Sequence, residues 1–184
     1  MRHCRFILSL LVALVSVSAH CASQVELIET EMTLKHNGDA DVMTRVWMQT
    51  PVPIPFSIEM GLWDGTTIDD LTMTNENDSA FADVTSLGGK PGVGQFCLKQ
   101  TGSAARISWT TIAGPKHVYV LRYTLRSLVK KGFLCNNMLL TVVRPTEPKA
   151  NRINLIIKRE KGIFVDDIVD VRTVGVKGRA LIEQ

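Results

Sequence analysis

Few side chains in this sequence are of a type that could do chemistry, and their spacing decides which chemistry is open to them. His36 and His117 lie well inside the chain, with His20 near the start of its folded part. His36 stands just before Asn37-Gly38 and His117 opens an alternating apolar segment. Both read as turn or strand-end residues rather than as acid–base catalysts. Asp69-Asp70 and Asp166-Asp167 are paired carboxylates. Neighbours on a strand point to opposite faces, so neither pair is expected to converge on one glycosidic bond. No Gly-x-Ser-x-Gly elbow occurs, and Cys97 and Cys135 have no recognisable nucleophile context. The lack of a Cys-x-x-Cys or Cys/His cluster argues against zinc and against a thioredoxin-like dithiol. A calcium site would have to use a loop carboxylate cluster, since the EF-hand pattern is absent.

Three further features invite a binding role. Gly88-Gly-Lys-Pro-Gly-Val-Gly94 has the glycine density of a phosphate cradle, but no Gly-Lys-Ser/Thr follows to open a helix; a strand, Gln95-Phe-Cys-Leu-Lys99, follows instead. Asn77-Asp78-Ser79 fits the N-glycosylation acceptor pattern, which makes Asn77 a candidate in a source that glycosylates. Trp47, Trp63 and Trp109 could line a ligand patch, and their strand positions favour core packing. The expectation is a non-enzyme with no cofactor and no metal.

The start of the chain carries an address. Arg2 and Arg5 precede an apolar run from Phe6 to Val17, and Val17-Ser18-Ala19 offers the small residues a signal peptidase reads. The run is shorter than the roughly 20 residues a bilayer span needs. Residues 1–19 therefore read as a cleaved signal, and the mature chain as secreted or periplasmic. Ser18-Ala19-His20 before Cys21 is a poor lipobox, although lipidation of Cys21 stays open. No later apolar run is long enough to span a membrane. Loss of the two arginines takes the formal net charge from +3 to +1. This near-neutral balance gives no electrostatic case for nucleic acid or an anionic membrane. Export also bears on the cysteines. In an oxidising compartment Cys97 and Cys135 are the natural pair, closing a loop worth roughly 3–4 kcal/mol in the chain-entropy model. The alternative is two buried thiols.

These residues must be positioned by strands. His117-Val-Tyr-Val-Leu-Arg-Tyr-Thr-Leu-Arg-Ser127 alternates with period two, with Tyr119, Leu121, Tyr123 and Leu125 on one face. Residues 25–35 and 40–48 alternate on either side of Asn37-Gly38, the hairpin signal of a type I′ turn. Pro51, Pro53 and Pro55 suggest an edge, a crossing between sheets or a polyproline segment that an aromatic groove could take. Further strands are expected at 56–62, 68–74, 81–87, 95–99, 106–111, 138–143 and 152–158, with two more within 163–181. Lys130-Lys131-Gly132 and Asn136-Asn137 read as turns. The pattern predicts a single all-β domain over residues 24–162: an antiparallel β-sandwich of about ten short strands, joined by C-terminal strands in 163–184. An exposed edge, at residues 51–55 or in the C-terminal strands, could accept a partner by β-addition.

In order, the pieces resemble a known family. The segment Val25-Glu-Leu-Ile-Glu-Thr-Glu-Met-Thr-Leu-Lys-His-Asn-Gly-Asp39 and its partner strand come first. Ile107-Ser-Trp109, the tyrosine-bearing strand 118–125, a break at Asn136-Asn137 and a closing strand at 152–158 follow. Together they are similar to the extracellular N-terminal domain of bacterial predicted membrane proteins of domain-of-unknown-function family 2207. The resemblance implies an exported β-sandwich with no known catalysis and no functional residues to carry over. Members usually continue into transmembrane helices, a feature not met in residues 24–184. The expected function is a non-catalytic module that binds or assembles with an unknown protein partner. The alternatives are a structural subunit of an envelope or surface assembly, and a small exported hydrolase with a site built from loops 75–80 and 88–94.

Overall fold

The computed structural model describes residues 23–63, 65–131, 136–138, 144–160 and 178–182. The signal segment 1–19, Cys21, Cys135, Asp166-Asp167 and most of the strands expected at 138–143 and 163–181 lie outside the described residues. The strands run in chain order as β1 (Gln24–Leu34), β2 (Ala40–Thr50), β3 (Pro55–Gly61), β4 (Thr67–Asn75), β5 (Ala82–Asp83), β6 (Gln95–Thr101) and β7 (Ala104–Thr110). They continue as β8 (Gly114–Arg126), β9 (Val129–Lys131), β10 (Asn136–Met138), β11 (Arg144–Pro145), β12 (Ile153–Arg159) and β13 (Gly178–Ile182). The two large sheets have the orders β13-β12-β1-β2-β8-β4 and β11-β3-β7-β6-β5, and β9 and β10 form a separate two-stranded sheet. The protein is an all-β sandwich, as the alternation predicts. Among the described residues no helix is long and apolar enough to cross a membrane.

The expected segment around Tyr119 is β8, held between β2 and β4. Tyr119, Leu121, Tyr123 and Leu125 are buried, while Arg122 and Arg126 are exposed. Ile28, Met32, Val46, Met48 and Leu121 pack from this sheet against Phe56, Ile58, Phe96, Ile107 and Trp109 of the other. Phe56 meets Trp109 edge-on at 4.8 Å, and Trp109 meets Tyr119 at 5.5 Å, so aromatic rings cross the whole core. Three hydroxyls are buried in the core and satisfy one another. Thr30 lies 3.2 Å from Thr44, which lies 3.4 Å from the Tyr123 hydroxyl. Burial pushes the Tyr123 hydroxyl up to about 12 against the opposing effect of its Thr44 bond, so it stays protonated.

Several local expectations change. The Asn37-Gly38 turn is not type I′, because only Gly38 of the pair has positive φ, +87°. Gly38 N–H bonds Lys35 O and Lys35 N–H bonds Asp39 O, which is a three-residue loop closed by a left-handed glycine. The strand expected over 81–87 shrinks to β5 and a 3-10 turn at Thr85–Leu87. Asp83 Oδ1 captures the Thr85 N–H at 2.8 Å, and Thr85 Oγ1 takes the ladder N–H of Leu98 at 2.9 Å. The residues read as turns around 133–135 pair instead as β9 and β10. The sandwich is not wholly antiparallel: β1–β12, β12–β13 and β5–β6 run parallel. Alternation sets which face a side chain takes and carries no information on strand direction.

Residues 51–54 cross from β2 in one sheet to β3 in the other. Ile54, the non-proline between Pro53 and Pro55, exchanges two bonds of 2.9 Å with Thr111. The crossing is thereby pinned where proline cannot donate. The region is not a free edge, since β3 lies between β11 and β7. The open edge at β4 is bulged between Asp69 and Thr72, with Asp70 at φ +54°, which discourages added strands there.

Candidate functional site

The two histidines are brought nowhere near each other. His36 sits in the β1–β2 turn, and its backbone N–H donates to Glu160 Oε2 at 3.3 Å. His117 pairs with Met48 at the other end of β2. Its Nδ1 lies 3.0 Å from Glu76 Oε1, and its Nε2 lies 3.2 Å from the Ala113 carbonyl. The second Glu76 oxygen accepts the Val118 N–H at 3.2 Å. Burial pushes the Glu76 carboxyl up, but bonds from its own N–H, from Val118 and from His117 outweigh it and leave it below the usual range. Gly114 makes the room: a Cβ there would lie 2.3 Å from His117 Nε2. The loop carboxylate and the histidine form a tether between the 75–79 turn and the start of β8.

At the opposite end, three carboxylates converge on Arg126. Asp39 lies 3.0 Å from Nη1, Asp69 3.1 Å from Nε and Asp70 3.6 Å from Nη2. Strand geometry alone would part Asp69 from Asp70; the bulge between Asp69 and Thr72 brings both round to one guanidinium. Asp39 is buried and also accepts the Ser127 N–H at 2.9 Å and the Asn37 side-chain amide at 2.8 Å. The Ser127 and Arg126 bonds hold its carboxyl below the usual range, against the cost of burial. Bonds to Asp39 and Asp69 in turn raise the Arg126 guanidinium. Among the described residues no group of three or more His, Cys, Asp or Glu side chains is placed to hold a metal.

The remaining sequence candidates are separate. Cys97 is half-buried on the outer side of β6 and has no disulfide partner among the described residues; its expected partner Cys135 lies outside them. Burial and the Asp83 charge raise the thiol above its ordinary range, which makes it a poor nucleophile. Asn77 is exposed at a turn whose Asn75 Oδ1 accepts the Asn77 and Ser79 N–H groups, each at 3.0 Å. In the glycine loop, Gly92 N–H is taken by Gln95 Oε1 at 2.9 Å, so that amide does not point into an anion cradle. Trp109 is in the core, as expected, whereas Trp47 and Trp63 are only half-buried.

The position of Trp47 shows what the sequence reading missed. It lies between Val46 and Met48, both fully buried, so alternation turns it to the outer face of the six-stranded sheet. There it pairs with Leu27 of β1 and Val118 of β8, and Val120 stands one step further along β8. The outer face of the other sheet carries Ser57, Glu59, Cys97, Lys99, Arg106 and Ser108 in register, with Glu59 paired to Arg106. The two exposed faces differ in chemistry. The available signal was the odd-numbered apolar set Leu27, Trp47 and, in the adjoining phase of β8, Val118 and Val120.

No family model and no curated protein matches the sequence. The solved structures that align include an M1 zinc metallopeptidase from Deinococcus radiodurans, at 12% identity and TM-score 0.31 over 56% of this chain and 20% of that one. A two-domain M1 zinc metallopeptidase variant bound to L-arginine aligns at 11% and 0.33, over 70% and 27%. A putative protease from Parabacteroides distasonis aligns at 7% and 0.31, over 60% and 24%. The chain thus spans about a quarter or less of their lengths, and similarity at this level transfers neither site nor activity.

Two predictions follow from the tethers. Because the folded Asp39 carboxyl titrates below its unfolded value of about 3.8, its contribution is fully present above that value. It is lost as pH falls through the folded pKa. Asp39→Asn should therefore cost about 1–3 kcal/mol in urea unfolding at neutral pH and lose less than the wild type on acidification below pH ~4. At the other end, Gly114→Ala should destabilise by about 1–2 kcal/mol through loss of the His117 bonds. In a His117→Ala background the same change should cost almost nothing, a non-additivity that a double-mutant cycle reads directly.

Proposed function

We propose that this chain is a non-catalytic, exported β-sandwich module that binds or assembles with a protein partner. The observation that carries the reading is where the chemistry-capable side chains go. His117 and Glu76 are spent on tying a turn to β8, and Asp39, Asp69 and Asp70 on clasping Arg126. Side chains whose lone pairs and protons are committed to backbone groups and counter-ions hold loops in place, and loops so held suit recognition. Export rests on the signal-like residues 1–19. Every strand segment that carries the resemblance to family 2207 is a strand in this fold, and the expected break at Asn136-Asn137 is a strand as well, β10; the shared element order supports kinship in architecture.

A hydrolase built from loops 75–80 and 88–94 is less well supported. The first loop does bring Glu76 to His117, but both imidazole nitrogens already face acceptors and neither is left to activate a nucleophile. At the β4 edge, assembly by strand addition is opposed by the bulge between Asp69 and Thr72.

Size-exclusion light scattering on protein purified gently from its native compartment tests the proposal. A stable complex with a second polypeptide is expected. A signal-cleaved monomer under the same conditions contradicts it.

A further inference from the structure

We propose that Asn37 is a site of spontaneous deamidation gated by the Asp39–Arg126 clasp: its amide is kept intact while the clasp is closed and is converted to a carboxylate when the clasp opens. The co-reactant is water, and the inference is independent of what the module binds.

Asn37-Gly38 supplies both reacting groups. The Gly38 backbone nitrogen, once its proton is lost, attacks Asn37 Cγ. The new C–N bond closes a five-membered succinimide and the Cγ–Nδ2 bond breaks. Nδ2 takes up a proton and leaves as ammonia. Water then opens the ring at either carbonyl, leaving an aspartyl or an isoaspartyl linkage. One water is consumed and one ammonia released, with no change of oxidation state. Glycine favours the step because no Cβ hinders the attacking nitrogen. Asn37 is exposed, so water reaches it.

The closed turn withholds both groups. Asn37 Nδ2 donates to Asp39 Oδ2 at 2.8 Å and Asn37 Oδ1 accepts the Asp39 N–H at 3.0 Å, so the side-chain amide is held at both ends. Gly38 N–H donates to Lys35 O at 3.1 Å and Gly38 O accepts the Val129 N–H at 2.9 Å, so the attacking residue is fixed on both sides. β9 lies close against it: a Cβ on Gly38 would stand 3.2 Å from Val129 O. The holding carboxylate is itself fixed. Asp39 is buried, with Arg126 Nη1 3.0 Å from Oδ2 and the Ser127 N–H donating to Oδ1 at 2.9 Å. Release of Arg126 therefore frees Asp39, then Asn37, and only then can the Gly38 nitrogen reach Cγ. The product does not close again. Its carboxylate has no proton to donate to Asp39 Oδ2, and an anion stands where the amide did. An isoaspartyl linkage adds a backbone carbon, which puts the bond from Lys35 N–H to Asp39 O out of register.

The test incubates the purified protein at mildly basic pH, beside the same chain unfolded in urea, and follows Asn37 by peptide mass mapping. Conversion is expected to be about tenfold or more slower in the folded protein than in the unfolded chain. Folded Arg126→Ala, which removes a charged hydrogen bond from Asp39, should speed it about tenfold. Should that variant not fold, the wild type in urea below its unfolding transition carries the same test: amide exchange at Gly38 and conversion of Asn37 should rise together. Asn37→Asp, which makes the aspartyl product directly, should lower Tm and leave the Ser127 amide less protected from exchange. Equal conversion in folded and unfolded chains, indifference to Arg126→Ala in a folded variant, conversion that does not track Gly38 exchange, or wild-type stability and protection in Asn37→Asp each overturns the proposal.

Discussion

The hydroxyl of Tyr119 accepts the Ile112 N–H at 2.7 Å while its ring packs 5.5 Å from Trp109 and 5.9 Å from Phe81. One side chain thus joins β8 to the opposite sheet and to the connection that leads into it. Burial raises this hydroxyl above its ordinary range, although its bond to Ile112 opposes that, so it stays protonated. The connection from β7 to β8 must cross between the sheets, and a crossing strands backbone groups from their ladders. Ile112 N–H goes to Tyr119, Ile112 O to the Thr50 hydroxyl at 2.7 Å, and Thr111 to Ile54. With those groups satisfied, both crossings at this end can be buried against the aromatic column.

What the sequence made legible is what period two encodes. The inward set of β8, the inward sets of β2 and β3, and Ile107 with Trp109 in β7 all follow from alternation, and each is buried. What stayed hidden depends on groups that alternation does not describe. The parallel direction of β12 and β13 is set by pairing with strands distant in sequence, which alternation does not describe. The shortening of β5 is set by Asp83 and Thr85 offering the backbone better partners than a ladder. The convergence of Asp69 and Asp70 is set by a bulge, and a bulge reverses the rule that neighbours on a strand point apart. Core packing, expected of all three tryptophans from their strand positions, holds for Trp109 and not for the half-buried Trp63 or for Trp47, whose phase between the inward Val46 and Met48 turns it outward.

The candidate chemistry was legible only as a list. His117, Glu76, Asp39 and Arg126 are distant in sequence, and nothing local predicts that they act in two tethers at opposite ends of the sandwich. The tethers fix the 75–79 turn and the β1–β2 turn against β8, so the same strand that anchors the core also anchors the loops.

Tyr119 locks the crossing between the sheets, and Tyr119→Phe tests this with the least disturbance, since it keeps the ring and removes the hydroxyl that accepts the Ile112 N–H. Amide hydrogen exchange at Ile112 is the measurement. The account predicts a marked loss of protection there, with a fall in global stability of about 1–3 kcal/mol from the unsatisfied N–H. Unchanged protection at Ile112 and unchanged stability would contradict it.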